Sequence, residues 1–422
     1  MHFEKSNAYL QRALRVTPGG AQTLSKQACR FPAGAFPLFA EHCYGAVIVD
    51  PDGNEFIDYI CGLGAVTLGY GMSGPQGEVA SAIMNRACLG ITPSLPTKLE
   101  AEIAERLCAI IPCAEQVRFC KTGSESTEAA IRVARMATGR DIILTVKGGY
   151  HSWHSWFAAT RDERPGVPQE YEELVWTFPY NNLEKFERIF TNAAEHAAAV
   201  IMEPCLFEAP EPGFLEGVRD LCHQNGALFI LDEMLCGFRW ARAGGSEYFN
   251  IEPDLACYGK GLANGMPLAC LVGKAEYMKH ATVCSGTFGG ETLSLAACGA
   301  VLDVYEQHDV CGHMEMVGSD LIDCFNRLPS AHESGARMEG YPFHPRVVFA
   351  DDADHAKMSL FLEQAAERGI LLHPGGINIM LAHTAEHVEQ TVEAMDVALR
   401  AVAGKQERRG QLIQPNPFRP VK

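Results

Sequence analysis

Paired cysteines are missing from this 422-residue chain: its 16 cysteines stand singly, as at Cys61, Cys108, Cys120, Cys205, Cys257 and Cys298, and no Cys-x-x-Cys occurs. That absence excludes zinc ribbons and dithiol redox pairs, and no metal site is expected. Most of the thiols lie in apolar runs, where cysteine behaves as a small hydrophobe, so reduced buried thiols in a cytoplasmic protein are expected. A basic excess is missing too. Lys plus Arg number 35 against 52 Asp plus Glu, a formal charge of −17, which excludes a broad nucleic-acid footprint. A single phosphate is still within reach of a few cations and backbone amides. No apolar run approaches a membrane span, and the opening MHFEKSNAYLQRAL is amphipathic and charged, without the apolar centre of a signal peptide. No membrane association, internal repeat or low-complexity region is expected.

What the chain does have is apolar content, 47%, enough for a substantial core divided over two or three structural units. GAVIVDPDGNEFIDYI reads as a β-hairpin about an Asp-Gly turn. From residue 97 short apolar strands alternate with amphipathic helices: TKLEAEIAERLCAII, QVRFC, ESTEAAIRVARMAT, DIILTV, AAAVIMEP, FLEGVRDLCHQNG, ALFILDE. This alternation indicates an α/β fold with a mostly parallel sheet covered on both faces. Helical stretches over 300–328 and 356–369 flank HPRVVFAD, and EHVEQTVEAMDVALRAV closes a smaller α+β unit. The Pro-rich tail QPNPFRPVK is expected to be loose.

Open α/β sheets place ligands beyond the carboxyl ends of their strands, so polar residues that follow apolar strands are the candidates. ALFIL ends in Asp232 and Glu233, AAAVIM ends in Glu203, and QVRFC runs into Lys121, Thr122, Gly123 and Ser124. The last opens into a helix, whose first amides favour a phosphate; Ser124 as a plain N-cap is the competing reading. Lys260 lies among glycines and apolar residues in PDLACYGKGLANGMPLACLVG, where desolvation lowers an amine's pKa and makes it a nucleophile toward an aldehyde. Asp232, at the end of a buried strand, needs a cation, and a pyridinium nitrogen would supply one. Tyr150 and His151 in KGGYHSWHSW follow another strand; Tyr150 is placed to stack on a planar group. For Trp153 and Trp156, substrate lining and ordinary core packing remain equally open.

These motifs, taken in order, resemble the class III aminotransferases of pyridoxal-5′-phosphate (PLP) fold type I, most closely the branch containing glutamate-1-semialdehyde aminomutase. The resemblance rests on LDEMLCGFRWARAGGSEYFNIEPDLACYGKGLANGMPLACLVG, KTGSESTEAAIRVAR, GGYHSW, VIMEP and SGTFGGETLSLAACGA, and runs from about Pro18 to the last helix. It implies that Lys260 forms the Schiff base and moves the proton between substrate and cofactor carbons, and that Asp232 holds the pyridinium. It implies further that Gly123 and Ser124 bind phosphate, that Tyr150 stacks on the ring with His151 beside it, and that Glu203 lies near the cofactor. Thr287 would complete the phosphate cup of a partner subunit, which implies a homodimer. The implied layout is an N-terminal segment over 1–60 contributing to the small domain, a large PLP-binding domain over 61–305 and a small α+β domain over 306–422.

The departures concern substrate. GGAQTLSK puts Lys26 where the aminomutases carry an arginine, which keeps the charge and loses the bidentate fork. HPGGIN puts Asn378 where they carry a glutamate, and the arginine usual in ω-aminotransferases of this family is not visible in that region. The expected reaction is transfer from an amino donor to a carbonyl acceptor; the altered positions and the two tryptophans point to a keto-sugar or related polysaccharide precursor. The alternatives are intramolecular amino transfer of the aminomutase type, a PLP-dependent racemase, and a non-catalytic PLP-binding protein.

Overall fold

Strands that are apolar on both faces need cover on both, and that requirement organises the larger of two compact units, Glu78–Cys311. The computed structural model describes residues 1–404 and 406, apart from 33 and 206; the Pro-rich tail lies outside the described residues. The unit's strands are β1 (Gln116–Cys120), β2 (Ile142–Val146), β3 (Val175–Phe178), β4 (Ala197–Met202), β5 (Leu228–Asp232), β6 (Leu255–Tyr258) and β7 (Ala269–Gly273). They form one sheet in the order β1-β7-β6-β5-β4-β2-β3. Only β7 runs against its neighbours, pairing antiparallel with β1 and β6; the rest is parallel.

Period-two alternation sends successive side chains of one strand to opposite layers. Along β5, Leu228 and Ile230 join the core under helix Gly123–Thr138, with Ile131 and Val133, while Phe229 and Leu231 pack on the other face with Phe186 and Val218. Helices Leu183–Ala193 and Phe214–Gln224 cover that second face. Helix Gly123–Thr138 begins at a capping box, Thr122 with Glu125, and stops at Gly139, whose φ of 69° is open to a residue without Cβ.

The second unit joins the chain's two ends, Met1–Gly77 and Gly312 onward. Strands His42–Tyr44, Val47–Val49 and Glu55–Asp58 form an antiparallel meander, and Ile370–Leu371 adds to it in parallel. The Asp-Gly turn is held by the Asp50 carboxylate, which accepts the amides of Asp52 (3.0 Å) and Asn54 (2.8 Å). A hairpin, Ala336–Tyr341 with His344–Phe349, and helices Ala356–Ala366 and Ala385–Ala403 complete the unit. The units change at 77/78 and 311/312, where the sequence suggests changes near 60 and 305. Among the described residues no helix is long and apolar enough to cross a membrane.

Candidate active site

The carboxyl ends of β4, β5 and β6 deliver Glu203, Asp232 and, after Gly259, Lys260. Asp232 is 1% exposed. Its Oδ2 lies 2.8 Å from His151 Nδ1, and its Oδ1 accepts the Met234 amide at 3.0 Å. The buried carboxylate that the sequence leaves in need of a cation therefore already has an imidazole partner. The His151 ring is enclosed, stacked on Trp156 at 6.4 Å and met edge-on by Phe157 at 5.2 Å, and Thr127 Oγ1 donates to its carbonyl at 2.9 Å.

Lys260 follows β6 with φ of +45°, a left-handed conformation that costs a non-glycine residue about 1–2 kcal/mol. Burial lowers the Lys260 amine's pKa, against the opposing pull of Glu203 and Asp232. A lowered amine holds more of its reactive free base near neutral pH. Two glycines make room here. A Cβ at Gly259 would come 2.7 Å from Met234 Sδ, and one at Gly123 would come 2.8 Å from the same sulfur. Met234 thus packs against both the lysine loop and the start of the helix at Gly123, a role that its place two residues after Asp232 did not suggest.

At that helix start the N-cap is Thr122 rather than Ser124. The Glu125 carboxylate folds back to accept the amides of Lys121 (2.7 Å) and Thr122 (3.2 Å), and Thr122 Oγ1 accepts the Glu125 amide. The amides of Gly123 and Ser124 have no acceptor among the described residues, and the Ser124 hydroxyl is not used for capping. Tyr150 is 41% exposed, edge-on to Phe157, with the Arg161 guanidinium 5.5 Å from its ring centre. Its amide donates to Glu203 Oε2 at 3.4 Å. Burial pushes the Glu203 carboxyl up to about 7, against the attraction of His151 and Lys260 and with Asp232 adding to the rise.

The remaining candidates are scattered. Trp156 is buried in the core, so it supports His151 and does not line an opening; Trp153 is 75% exposed. Thr287 lines a cleft of about 330 Å³ with Ser94, Leu95, Arg118 and Glu291, a cleft whose lining includes neither Lys260 nor Asp232. Lys26 and Asn378 belong to the terminal unit. Lys26 is exposed, and its charge acts on buried Asp58, whereas the Asn378 amide is engaged with the Ile60 carbonyl (3.1 Å) and the His344 ring (3.0 Å). Sequence reading singled out Lys121 only as part of the loop, and missed its ion pair with Glu291 at 2.6 Å because 170 residues separate the two.

These residues match what PLP requires: a half-buried lysine whose amine pKa is lowered, a buried acid near it, first-turn helix amides without acceptors among the described residues, and an aromatic ring at the mouth. The profile of the class III aminotransferases matches residues 31–399, and the chain belongs to that family of PLP-dependent enzymes. It is 33% identical to a glutamate-1-semialdehyde 2,1-aminomutase of Syntrophomonas wolfei, over 95% of this chain and 99% of that one. It is 30% identical to a 3-aminobutyryl-CoA aminotransferase of Cloacimonas acidaminovorans, over 95% and 98%. Among solved structures, the PLP-bound FumI protein of Sphingopyxis sp. MTA144 superposes with a TM-score of 0.88 at 29% identity, covering 95% of this chain and 97% of that one.

Proposed function

We propose that the chain moves an amino group from a donor to the carbonyl of a separate acceptor, with Lys260 as the residue that binds PLP covalently. The observation that carries this reading is the half-buried Lys260 amine, its pKa lowered by burial, within the influence of Asp232 and Glu203. Bound there, the PLP ring supplies an electron sink for a carbanion. Asp232 holds the ring nitrogen in its protonated form, using oxygens already oriented by His151 and Met234. Gly123, Ser124 and their helix N-terminus would bind the phosphate, and Tyr150 would lie against the ring. Lys260 would hold PLP and would move the proton at the reacting carbon, for which a lowered amine pKa is suited.

A homodimer in which Thr287 reaches the partner's phosphate fits the surface around that residue. Leu95 and Phe288 beside it are largely exposed, and the segment before Leu95 is tied to Thr292 through the Gly90 and Ile91 carbonyls. Apolar side chains bared next to a functional threonine suit coverage by a second copy.

For the acceptor, a keto-sugar or related polysaccharide precursor is favoured. Lys26 offers no bidentate fork for a carboxylate, the Asn378 amide is occupied, and Trp153 presents an open indole face of the kind that packs on a sugar. Intramolecular transfer is the second reading, favoured by the similarity to aminomutases, and it would use Lys260 and Asp232 in the same way. The test loads the protein with pyridoxamine phosphate and screens keto acids, semialdehydes and free or nucleotide-linked keto-sugars for return of the aldehyde-form absorbance. Return with a keto-sugar supports the proposal. Efficient turnover of glutamate-1-semialdehyde with no response to keto-sugars overturns it in favour of the second reading.

A further inference from the structure

The Asp232–His151 pair leaves one atom unexplained. His151 Nε2 is buried and has no hydrogen-bond partner, although a buried imidazole nitrogen without one is costly. The space it faces is defined by Gly149. A Cβ built on Gly149 would lie 3.4 Å from His151 Nε2, 3.4 Å from the Val146 carbonyl oxygen and 3.7 Å from Glu203 Oε2. One nitrogen and two oxygens thus flank the open side of Gly149, and the Val146 oxygen already accepts the Gly149 amide at 3.2 Å. Three polar partners around one opening is the environment in which buried waters are found.

We infer that a single water seated at Gly149 bridges His151 Nε2 and Glu203 Oε2, making Glu203 a positioning residue that acts on Asp232 through the imidazole. The inference rests on the reading of Lys260 and Asp232 as the PLP site. With the water in place, the imidazole is held from both sides, Nε2 through the water to Glu203 and Nδ1 directly on Asp232. Asp232 then keeps the orientation in which it meets the ring nitrogen. The charged groups that act on Glu203 are His151, Asp232 and Lys260, with the Tyr150 amide as a direct donor and the Cys236 thiol close by. Its carboxyl, raised by burial to about 7, changes charge in the range where such an enzyme works. No covalent step is involved; the bridge positions the imidazole and, through it, Asp232.

The test compares the full-length holoprotein with Glu203→Gln and Gly149→Ala, following the pH titration of the bound cofactor's visible absorbance and determining a crystal structure of the wild type. Gly149 is not in the left-handed region, and its added methyl would meet only ordinary contacts, so this variant displaces the water while keeping Glu203 and His151. The expected result is an ordered water within about 3 Å of His151 Nε2 and Glu203 Oε2. Both variants should move the titration midpoint to lower pH, by about one unit for Glu203→Gln, because a negative charge that favours the protonated form is removed or uncoupled. If Glu203→Gln fails to fold, Gly149→Ala carries the decision alone. A wild type that forms no cofactor band would overturn the underlying site assignment. A normal wild-type band with an unshifted midpoint in Gly149→Ala, or a direct protein contact where the water should be, would overturn the bridge alone.

Discussion

The Lys121 ammonium lies 2.6 Å from Glu291 Oε1 and 3.0 Å from the Ser294 hydroxyl, linking the residue before the Thr122 cap to the N-cap of helix Thr292–Gln307. Both side chains are largely buried, at 17% and 9% exposure, so the pair is more than a solvated surface contact. Glu291 also accepts the amides of Leu293 (2.8 Å) and Ser294 (3.1 Å). Burial pushes the Glu291 carboxyl up, but hydrogen bonds from Lys121 and Ser294 overcome it and hold the carboxyl below its ordinary range. Glu291→Gln should therefore destabilise the protein by about 1–3 kcal/mol, since it leaves Lys121 enclosed without a counter-charge. It should also weaken PLP binding several-fold, because Lys121 leads directly into Gly123 and Ser124. Denaturant unfolding and fluorescence titration of the apoprotein check both; a variant with wild-type values for each would mean that the pair contributes nothing to the loop.

Lys260→Ala should abolish turnover and the borohydride-trappable link to PLP, read by mass spectrometry of the treated protein. Asp232→Ala should keep partial binding and lose turnover by on the order of 10²-fold or more, because the ring nitrogen is no longer held protonated. The same change strips His151 Nδ1 of its 2.8 Å partner, so stability should fall as well, and Asp232→Asn should recover part of the stability without the rate. Trapping at a lysine other than Lys260, or a wild-type rate in either Asp232 variant, would contradict the assignment.

Much of the sheet was legible because buried parallel strands announce themselves as apolar runs: DIILTV, AAAVIM and ALFIL all became strands, and the less buried QVRFC became the edge strand β1. VWTF did not stand out, since its burial is partial and it follows the loop-rich 161–170 segment, yet it forms the edge strand β3. LACY and ACLVG drew attention as the setting of Lys260, and their roles as β6 and antiparallel β7 come from pairing that no local pattern reveals. The residues at strand ends were legible because position alone identifies them. What was not legible is pairing across the fold. His151 and Asp232 are 81 residues apart, and nothing in YHSW indicates which acid its imidazole meets. Trp156 shows the converse: an aromatic near the mouth in sequence turns inward because the short helix Ser155–Ala158 directs it into the core.

The cysteines should be as unreactive in the native protein as their burial suggests. None of the sixteen forms a disulfide, and Cys88 alone among them is exposed. Burial pushes the thiols of Cys113, Cys120, Cys298 and Cys311 up to about 12, which leaves almost no thiolate at neutral pH. With a disulfide-exchange reagent at pH 8, one thiol should react fast, the partly buried ones slowly, and the rest only after denaturation. Reductant should leave the unfolding midpoint unchanged. Rapid labelling of Cys113 or Cys298, mapped by peptide analysis, would contradict the packing around them.

Two buried carboxyls give the apoprotein an unusual pH response. Glu203 and Glu233 are each pushed up to about 7, chiefly by burial; at Glu233 the amides of Gly245 (2.8 Å) and Ser246 (2.6 Å) oppose the rise and Asp232 adds to it. In the unfolded chain both would titrate near the ordinary value of about 4.3. Between these limits the folded state binds protons that the unfolded state releases. Stability from these groups is therefore full below the ordinary carboxyl range and is lost as pH rises through about 7. Glu291 works in the other direction: its lowered pKa contributes stability above the ordinary range that disappears on acidification. The apoprotein should accordingly be most stable at mildly acidic pH, roughly 5, with its unfolding free energy falling toward neutrality. Each raised group contributes a slope of at most about 1.4 kcal/mol per pH unit. Glu233→Gln should roughly halve the slope between pH 5 and 7, by removing one of the two protons. At mildly acidic pH it should also lower stability, because a glutamine offers one acceptor where Gly245 and Ser246 each require one. Urea unfolding of the apoprotein and the variant across this range measures both effects, and a variant that kept the wild-type slope would show that Glu233 does not take up a proton on folding.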